Sequence, residues 1–498
     1  MHPRAFTLGI LLAAWATPSR AQLISIRTVP ITQSHQFDLF PSLRGGMGRV
    51  SLAVDDSLLD PFLNPATGAR VGASRFFGSP SFYSVSRGAG AGRSLPLGTW
   101  LRAGKWFGGV ALAVQQVDLS DTDRFLPPPC EVCLAAEGET IDIPPDDRSL
   151  GNAFGYAMLG AELGGGLAIG GSAAWADLDA VDGTDLMYAN SLRVRQNGHS
   201  IDVRIGALKE WEGARALSAL VLHNRSAASH DVFYLDPVWD PGIPGFSQRP
   251  RQEANRDRTK TWGLHLEYAQ PIANTGWRVG WVATGNRTSQ PEVAHYEIQN
   301  VPRHPGNSEA YNFGVGFSRT EKQSTFALDL IYEPIWSYTW AEAEAATETT
   351  RGIIPAGGKT IENRFRFSNT QLRAGLSQDH RFSQDTKSVG FQIGLVLDRI
   401  DYALRQDDNV TITTSHRHEN WIEWTPTWGL SLSFPAWELR YRGSLTNGTG
   451  RPGVPSQDVV FADPIGPFFP GPGAPLTLRD IRVTTHQIGV TIPLAVSR

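Results

Sequence analysis

The stretch STFALDLIYE, residues 324–333, alternates in character at nearly every position. Phe326, Leu328, Leu330 and Tyr332 share one side; Ala327, Asp329, Ile331 and Glu333 share the other. A period of two is what an extended strand imposes on its side chains. The pattern recurs along the chain. In WELRYRGSL, Trp437, Leu439, Tyr441 and Leu445 oppose Glu438, Arg440, Arg442 and Ser444. TWGLHLEYA sets Trp262, Leu264, Leu266 and Tyr268 against Gly263, His265 and Glu267. YNFGVGFSR sets Tyr311, Phe313, Val315 and Phe317 against Asn312, Gly314, Gly316 and Ser318. HSIDVRIGA sets Ile201, Val203 and Ile205 against Asp202, Arg204 and Gly206.

A soluble sandwich would alternate in the same way, with its apolar face as core. Two features point instead to a membrane. Aromatic residues sit at the ends of the apolar faces (Trp262, Tyr268, Trp277, Tyr311, Phe317, Tyr332, Trp336, Trp428, Phe434 and Trp437), where an interfacial girdle places them. The segments are also long, numerous and joined by alternately short and long links. Beyond the first residues, no run reaches the roughly 18 to 20 apolar residues of a membrane helix. The remaining way to span a bilayer is a closed barrel. The fold class expected is all-β: a closed antiparallel transmembrane β-barrel of about sixteen strands, with about fourteen or eighteen if one hairpin is merged or split.

Short links fall near Lys105, Gly165, Glu212, Asn274, Lys322 and Pro435; long ones cover 118–150, 236–257, 290–307, 341–360 and 448–476. Short turns face the periplasm in outer-membrane barrels, and an even strand count starting near Val71 leaves both termini there. The segment around residues 388–433 stays strand-like well beyond one crossing, which implies strands projecting above the membrane. Its alternation slips near Asp398 to Asp401, which suggests a bulge.

The chain opens MHPRAFTLGILLAAWATPSRAQ, with a basic start, an apolar stretch too short to span and a small-x-small site at Ser19-Arg20-Ala21. Residues 1–21 are expected to be a signal peptide, 22–69 a periplasmic or hatch segment and 70–498 the barrel. No cysteine follows the cleavage site, which argues against a lipid anchor. The 498-residue sequence has a net charge of -4, which argues against a nucleic-acid partner. The bacterial outer membrane is the expected location, with its lipid as one partner.

Ahead of the first barrel strand lies GGMGRVSLAVDDSLLDPFLNPATG, residues 45–68. Residues 48–54 could form a short strand, and Asp56 or Ser57 could cap a helical turn. Asp60-Pro61 and Asn64-Pro65 each set a capping residue before a proline suited to a first helical position. Gly68 would let the chain turn out. This stretch resembles the glycine-rich opening of the long-chain fatty-acid transporter superfamily of outer-membrane barrels, which includes the PorV/PorQ-like proteins of type IX secretion. The resemblance implies a hatch lodged in the barrel, with Asn64, Pro65 and Ala66 as hatch residues and Asp55 and Asp56 just ahead of them. About twenty-five residues carry it; beyond them the likeness is architectural.

If the greasy faces meet lipid, the reverse faces line a lumen: Asp202, Arg204, His265, Glu267, Arg278, Asp329, Glu333, Gln392, Asp398, Glu438, Arg440 and Arg442. Their mixed signs fit a water-filled path for small polar solutes or a salt-bridged interior closed around a hatch. They provide no apolar track for a fatty acid. Cys130 and Cys133, spaced C-x-x-C in the first long link, read best as a loop disulfide in an oxidising compartment. His416 and His418, with Asp407, Asp408 and Glu419, could serve a metal or an outer-rim hydrolase, but no nucleophile motif accompanies them. No cofactor, metal site or catalytic residue is expected. Three functions follow in order: a hatch-gated transporter or channel for small solutes, a non-transporting barrel that binds a secreted or surface protein, and an outer-membrane hydrolase.

Overall fold

A computed structural model of the chain describes residues 36–86, 90–118, 149–181, 193–240, 245–273, 275–290, 306–343, 345–382, 387–449 and 481–494. The expected signal peptide, Cys130 and Cys133 lie outside these residues, as does Asn274 in one short turn. No helix among the described residues is long and apolar enough to cross a membrane. The strands do so instead.

The ring begins with β1 (Arg75–Gly78) and β2 (Ser81–Val85). Both pair with the same two neighbours in one unbroken register, so together they fill one strand position interrupted at Ser79-Pro80. Proline cannot donate to a ladder, which is why the strand breaks there. The wall continues through β3 (Ala91–Ala103), β4 (Trp106–Asp118), β5 (Ser149–Gly164), β6 (Leu167–Leu178) and β7 (Arg193–Trp211). It rises through β8 (Arg215–Asp240), β9 (Gly245–Ile272), β10 (Trp277–Gln290), β11 (Gly306–Glu321) and β12 (Ser324–Glu342). A small hairpin outside the ring, β13 (Thr347–Thr349) and β14 (Gly352–Ile354), precedes β15 (Lys359–Arg381). Then β16 (Ser388–Asp408), β17 (Thr413–Ser433), β18 (Glu438–Thr449) and β19 (Ile481–Pro493) lead back to β1 and β2. The result is a closed antiparallel barrel of 16 strands. Closure leaves no edge with unpaired N–H and C=O groups, the condition for placing strands in hydrocarbon.

The outward faces are greasy and unburied. Leu112, Ile205, Ile393 and Leu159 are each more than 60% exposed, a distribution that only lipid can cover without cost. Every aromatic residue expected in the girdle lies on a strand's outward parity or at a turn beside one. The barrel's first and last pairs, such as Arg75 with Pro493, lie at the short-turn end. Glycines with positive φ make those turns possible at Gly104, Gly164 to Gly166, Gly213 and Gly276.

The two sides of the wall differ in height. β3 and β4 have 13 residues each, whereas β8 has 26 and β9 has 28. At about 3.4 Å per residue and a tilt near 40°, the tall hairpin reaches roughly 65 Å, against an apolar band of about 25 Å. Two outer connections are therefore not loops. The expected long link at 236–257 is the tip of the β8–β9 hairpin, paired up to Asp240 with Gly245. β16 and β17 close through a tight turn in which the Asp408 carboxylate accepts from Val410 and Thr411 N–H at 2.8 and 2.9 Å. Conversely, a link at 179–192 follows β6 that the sequence pattern does not show.

The expected bulge at Asp398 to Asp401 is absent: the β15–β16 ladder lapses at Ile400-Asp401 but resumes in the same register. β16 and β17 pair without interruption from Ser388 with Ser433 to Asp408 with Thr413. What changes is the surroundings. Below that point Phe391, Ile393, Leu395 and Leu397 point outward; above it Arg399 and Arg405 do, while Ile400 and Tyr402 are buried inward. The inversion marks where lipid gives way to water. Accordingly, Leu330→Arg, outward near the middle of the apolar band, should destabilise the barrel in bilayers by about 2–4 kcal/mol. Ala403→Arg, outward on the projecting part, should change it by no more than about 0.5 kcal/mol, both read by denaturant titration of the reconstituted protein.

Candidate functional site: a hatch seated in the barrel

Residues 36–71 occupy the lumen. Gln36 bonds Gln115 and the Ala180 carbonyl, near the long-loop ends of β4 and β6. Arg70 bonds Glu210 at 2.9 Å, one residue from the opposite rim. The segment thus runs through the height of the short wall. Little of it is regular. A four-residue helix, α1 (Asp60–Leu63), is followed by a 3₁₀ turn at Pro65–Arg70, and residues 48–54 form a turn and bends, not the expected strand.

The acids around α1 take different parts, one as expected and one not. Asp56 does cap the turn, accepting Leu58 and Leu59 N–H at 3.0 and 3.1 Å. Its other oxygen accepts the Ser42 hydroxyl and Leu43 N–H, each at 2.7 Å. Asp60 caps nothing: it pairs with buried Arg44 at 2.6 Å and accepts Asp56 N–H at 2.7 Å. Burial, with Asp56 alongside, pushes the Asp60 carboxyl up to about 7 against the pull of Arg44. Asp55 is the reverse case. Burial opposes its ionisation, but Arg70 at 2.7 Å and Arg278 at 2.8 Å hold it below the usual carboxylate range.

Asn64 caps the 3₁₀ turn as expected, accepting Ala66 N–H at 3.0 Å. Its amide then reaches the wall, donating to the Ser218 hydroxyl at 2.7 Å and the Ala219 carbonyl at 3.2 Å. Pro65 and Ala66 lie against Gly170, and Asn64 lies over Gly206, so closely that a Cβ at either glycine would overlap them. Gly68 serves the same purpose from the hatch side: a Cβ there would meet Met158 and Phe107 within 2.7 Å.

An irregular segment must find partners for its own backbone, and the inward faces provide them. Asp329 accepts Ser51 N–H at 2.6 Å and Leu52 N–H at 3.3 Å. Arg204, paired with Asp202 at 2.6 Å, donates to the Phe62 and Leu63 carbonyls at the end of α1. Arg278 and Arg442 bind hatch carboxylates, Asp55 at 2.8 Å and Asp38 at 2.6 Å. Gln392 accepts Gly46 N–H and donates to the Leu43 carbonyl. The other expected lumen residues point inward but pair along the wall: His265 with Glu267, Glu438 with Arg440, Glu333 with Asn312 and Asp398 with Gln371.

Several hatch partners escape the sequence reading. Thr427, Ser318, Arg373, Tyr156 and Gln487 all bond hatch backbone atoms. Gly280, Gly375 and Gly394 leave room for the hatch main chain at Leu52, Met47 and Gly48. Small and hydroxylic residues on the inward parity were the available signal.

The two halves of the hatch are held differently. Leu58, Phe62, Ala66 and Val71 join Phe77, Trp100, Phe107 and Tyr156 in one apolar cluster, with Phe40 stacked on Phe62 at 3.7 Å. Residues 45–55 have only small clusters, Met47 and Val50 with Ala327, and Leu52 with Val282 and Ile331. The anchored half faces the short wall; the hydrogen-bonded half faces β10 to β17. A cavity of about 30 Å³ lies between Pro41, Ser42 and Gly46 and the wall residues Gln392, Arg440 and Arg442. That is room for a water or two.

The outer-rim residues do not assemble a site. His416 and His418 face outward and exposed, His418 3.1 Å from Asp401, while Asp407 is taken up by Arg364, Arg405 and Thr414. No group of three metal-ligating side chains occurs among the described residues.

The geometry defines a class: a transmembrane barrel plugged by its own N-terminal segment. No family model matches the sequence, and no curated protein matches it significantly. Among solved structures it is similar to a FadL homologue of Pseudomonas aeruginosa, at 11% identity over 91% of this chain and 99% of that one, with a TM-score of 0.41. It is similar to the Ralstonia pickettii toluene transporter TbuX at 10% identity over 92% and 99%, with a TM-score of 0.39. A bacterial polysaccharide outer membrane secretin matches at 6% identity over 85% and 98%, with a TM-score of 0.41. At these values the likenesses carry no argument; the fold rests on the closed ladder itself.

Asn64→Ala removes a cap and leaves the Ala66 N–H and wall acceptors unsatisfied, a cost of about 1–3 kcal/mol. Hydrogen exchange across residues 58–70 should then speed up by about tenfold or more, with the barrel ladder unchanged. Gly206→Val should do the same by displacing Asn64.

Proposed function

We propose that the protein is a hatch-gated transporter for small solutes in a bacterial outer membrane, seen in its closed state. The observation that carries this reading is the divided hold on the hatch. Residues 58–71 are fixed by an apolar cluster together with polar bonds from Asn64 and Arg70, whereas residues 45–55 have little apolar packing and are fixed by side-chain-to-backbone hydrogen bonds and the Asp55–Arg278 ion pair. A neutral bond of this kind exchanges with water at a net cost of about 1 kcal/mol, and one to the Asp329 carboxylate at about 1.5–3 kcal/mol. Swinging residues 45–55 away from β12 to β17 would open a passage lined by Asp329, Arg373, Gln392 and Thr427 while the anchored half stays in place.

Solutes would enter from above, past the inward faces of the projecting strands. Phe367 and Tyr402 pack together there with rings 4.9 Å apart, and Tyr402 and Ile400 are buried. The polar residues below suit small solutes with polar groups better than a fully aliphatic chain. The projecting tall wall also supports the second reading, a barrel that stays sealed and presents β8 and β9 to a protein partner. We assign no catalytic step in either case.

Conductance in planar bilayers separates the two readings. The wild-type barrel should be mostly closed, with rare openings. Asp329→Ala, which strips the Ser51 and Leu52 N–H groups of their acceptor, should raise open time by about tenfold. Silence of both proteins across the accessible voltage range would favour the sealed, partner-binding barrel.

A further inference from the structure

Directly above the apolar band, the outward face of β15 to β17 turns basic. Arg399 lies across from exposed Ile422, two residues above outward Leu397. Arg366 lies across from Ala403 on one side and from exposed Trp336 on the other. Above Arg399, Arg366 joins Arg364, Arg405, His416 and His418 in lining a shallow groove of about 360 Å³. Acids on this face are already engaged: Asp407 by Arg364 at 2.5 Å and Arg405 at 3.1 Å, Glu362 by Arg364 at 3.3 Å, and Asp401 by His418 at 3.1 Å. Arg366, Arg399 and His416 have no carboxylate partner among the described residues.

Two guanidinium groups held open beside a greasy wall need an anion that arrives with apolar surface attached. We propose that this face binds the phosphorylated head of an outer-leaflet glycolipid. The phosphates would bond Arg366 and Arg399, with Arg405 and His416 alongside, and the acyl chains would lie along Leu372, Leu395 and Trp424 below. Guanidinium forks match phosphate oxygens in pairs, and partial removal from water strengthens such bonds. The inference rests on the membrane orientation proposed above, in which the long-loop end faces outward.

The test is native mass spectrometry of the full chain in detergent, titrated with bisphosphorylated lipid A, with lipid A stripped of phosphate, and with inorganic phosphate. The wild type should retain the bisphosphorylated lipid about tenfold more tightly than the stripped one. Arg366→Gln combined with Arg399→Gln should remove that preference, and the double lysine variant should keep part of it. Arg93→Gln, outward on the short wall, should leave it intact. Equal binding of both lipids, or no effect of the double glutamine variant, would overturn the proposal. Equal occupancy by inorganic phosphate would make this a free-anion site and overturn it as well. Heat-modifiable migration on gels checks that each variant is folded. Conductance measured in bilayers lacking the glycolipid reports on the transport reading separately, so the two can fail independently.

Discussion

A backbone amide or carbonyl that water cannot reach must be bonded by the protein itself. That single demand shapes this molecule twice. In the wall it is met by closing the ladder from β19 back to β1, β2 and β3, so that no strand edge is left to the lipid. Inside the wall, the hatch has almost no regular structure to meet it and relies on side chains. Asp329, Arg204, Gln392 and Thr427 are where they are because Ser51, Phe62, Gly46 and Gly48 have main-chain groups to satisfy. Of the expected lumen charges, Arg204, Arg278, Asp329 and Arg442 seat the hatch, and others pair along the wall.

Much of the wall is legible in the sequence, because covalent geometry enforces the period of two and the bilayer enforces unlike faces. Phe326 and Leu330 outward, Asp329 inward, needs no tertiary information. The same rule misleads near Asp398, where the pattern inverts although the ladder does not. A bulge and a change of solvent produce the same slip in sequence; only pairing separates them. The tips of β8 and β9 read as a loop because charge and proline dominate once the strands leave the lipid.

The hatch is legible as a capped element and illegible as a seated one. Asn64 ahead of Pro65 is a local signal, and the cap is present. Its bond to Ser218 spans 154 residues of sequence, and that of Gly48 to Thr427 spans 379. No local pattern encodes such pairs. Asp60 shows the limit most clearly: by position it should cap a helix, but Arg44 claims it. The hold that results is uneven, with the large apolar cluster under residues 58–71 and only small ones under residues 45–55.

The central claim is that lipid covers one face of each strand and the hatch covers the other. Spin labels placed singly at positions 326 to 332, in a background lacking Cys130 and Cys133, test it directly in reconstituted bilayers. Labels at 326, 328, 330 and 332 should relax with oxygen and be shielded from a water-soluble nickel reagent. Those at 327 and 331 should respond weakly to both, being packed against Met47, Val50 and Leu52. Strong nickel access at 327 and 331 would mean an open, water-filled lumen, and equal oxygen access on both faces would mean that the barrel is not the structure in the membrane.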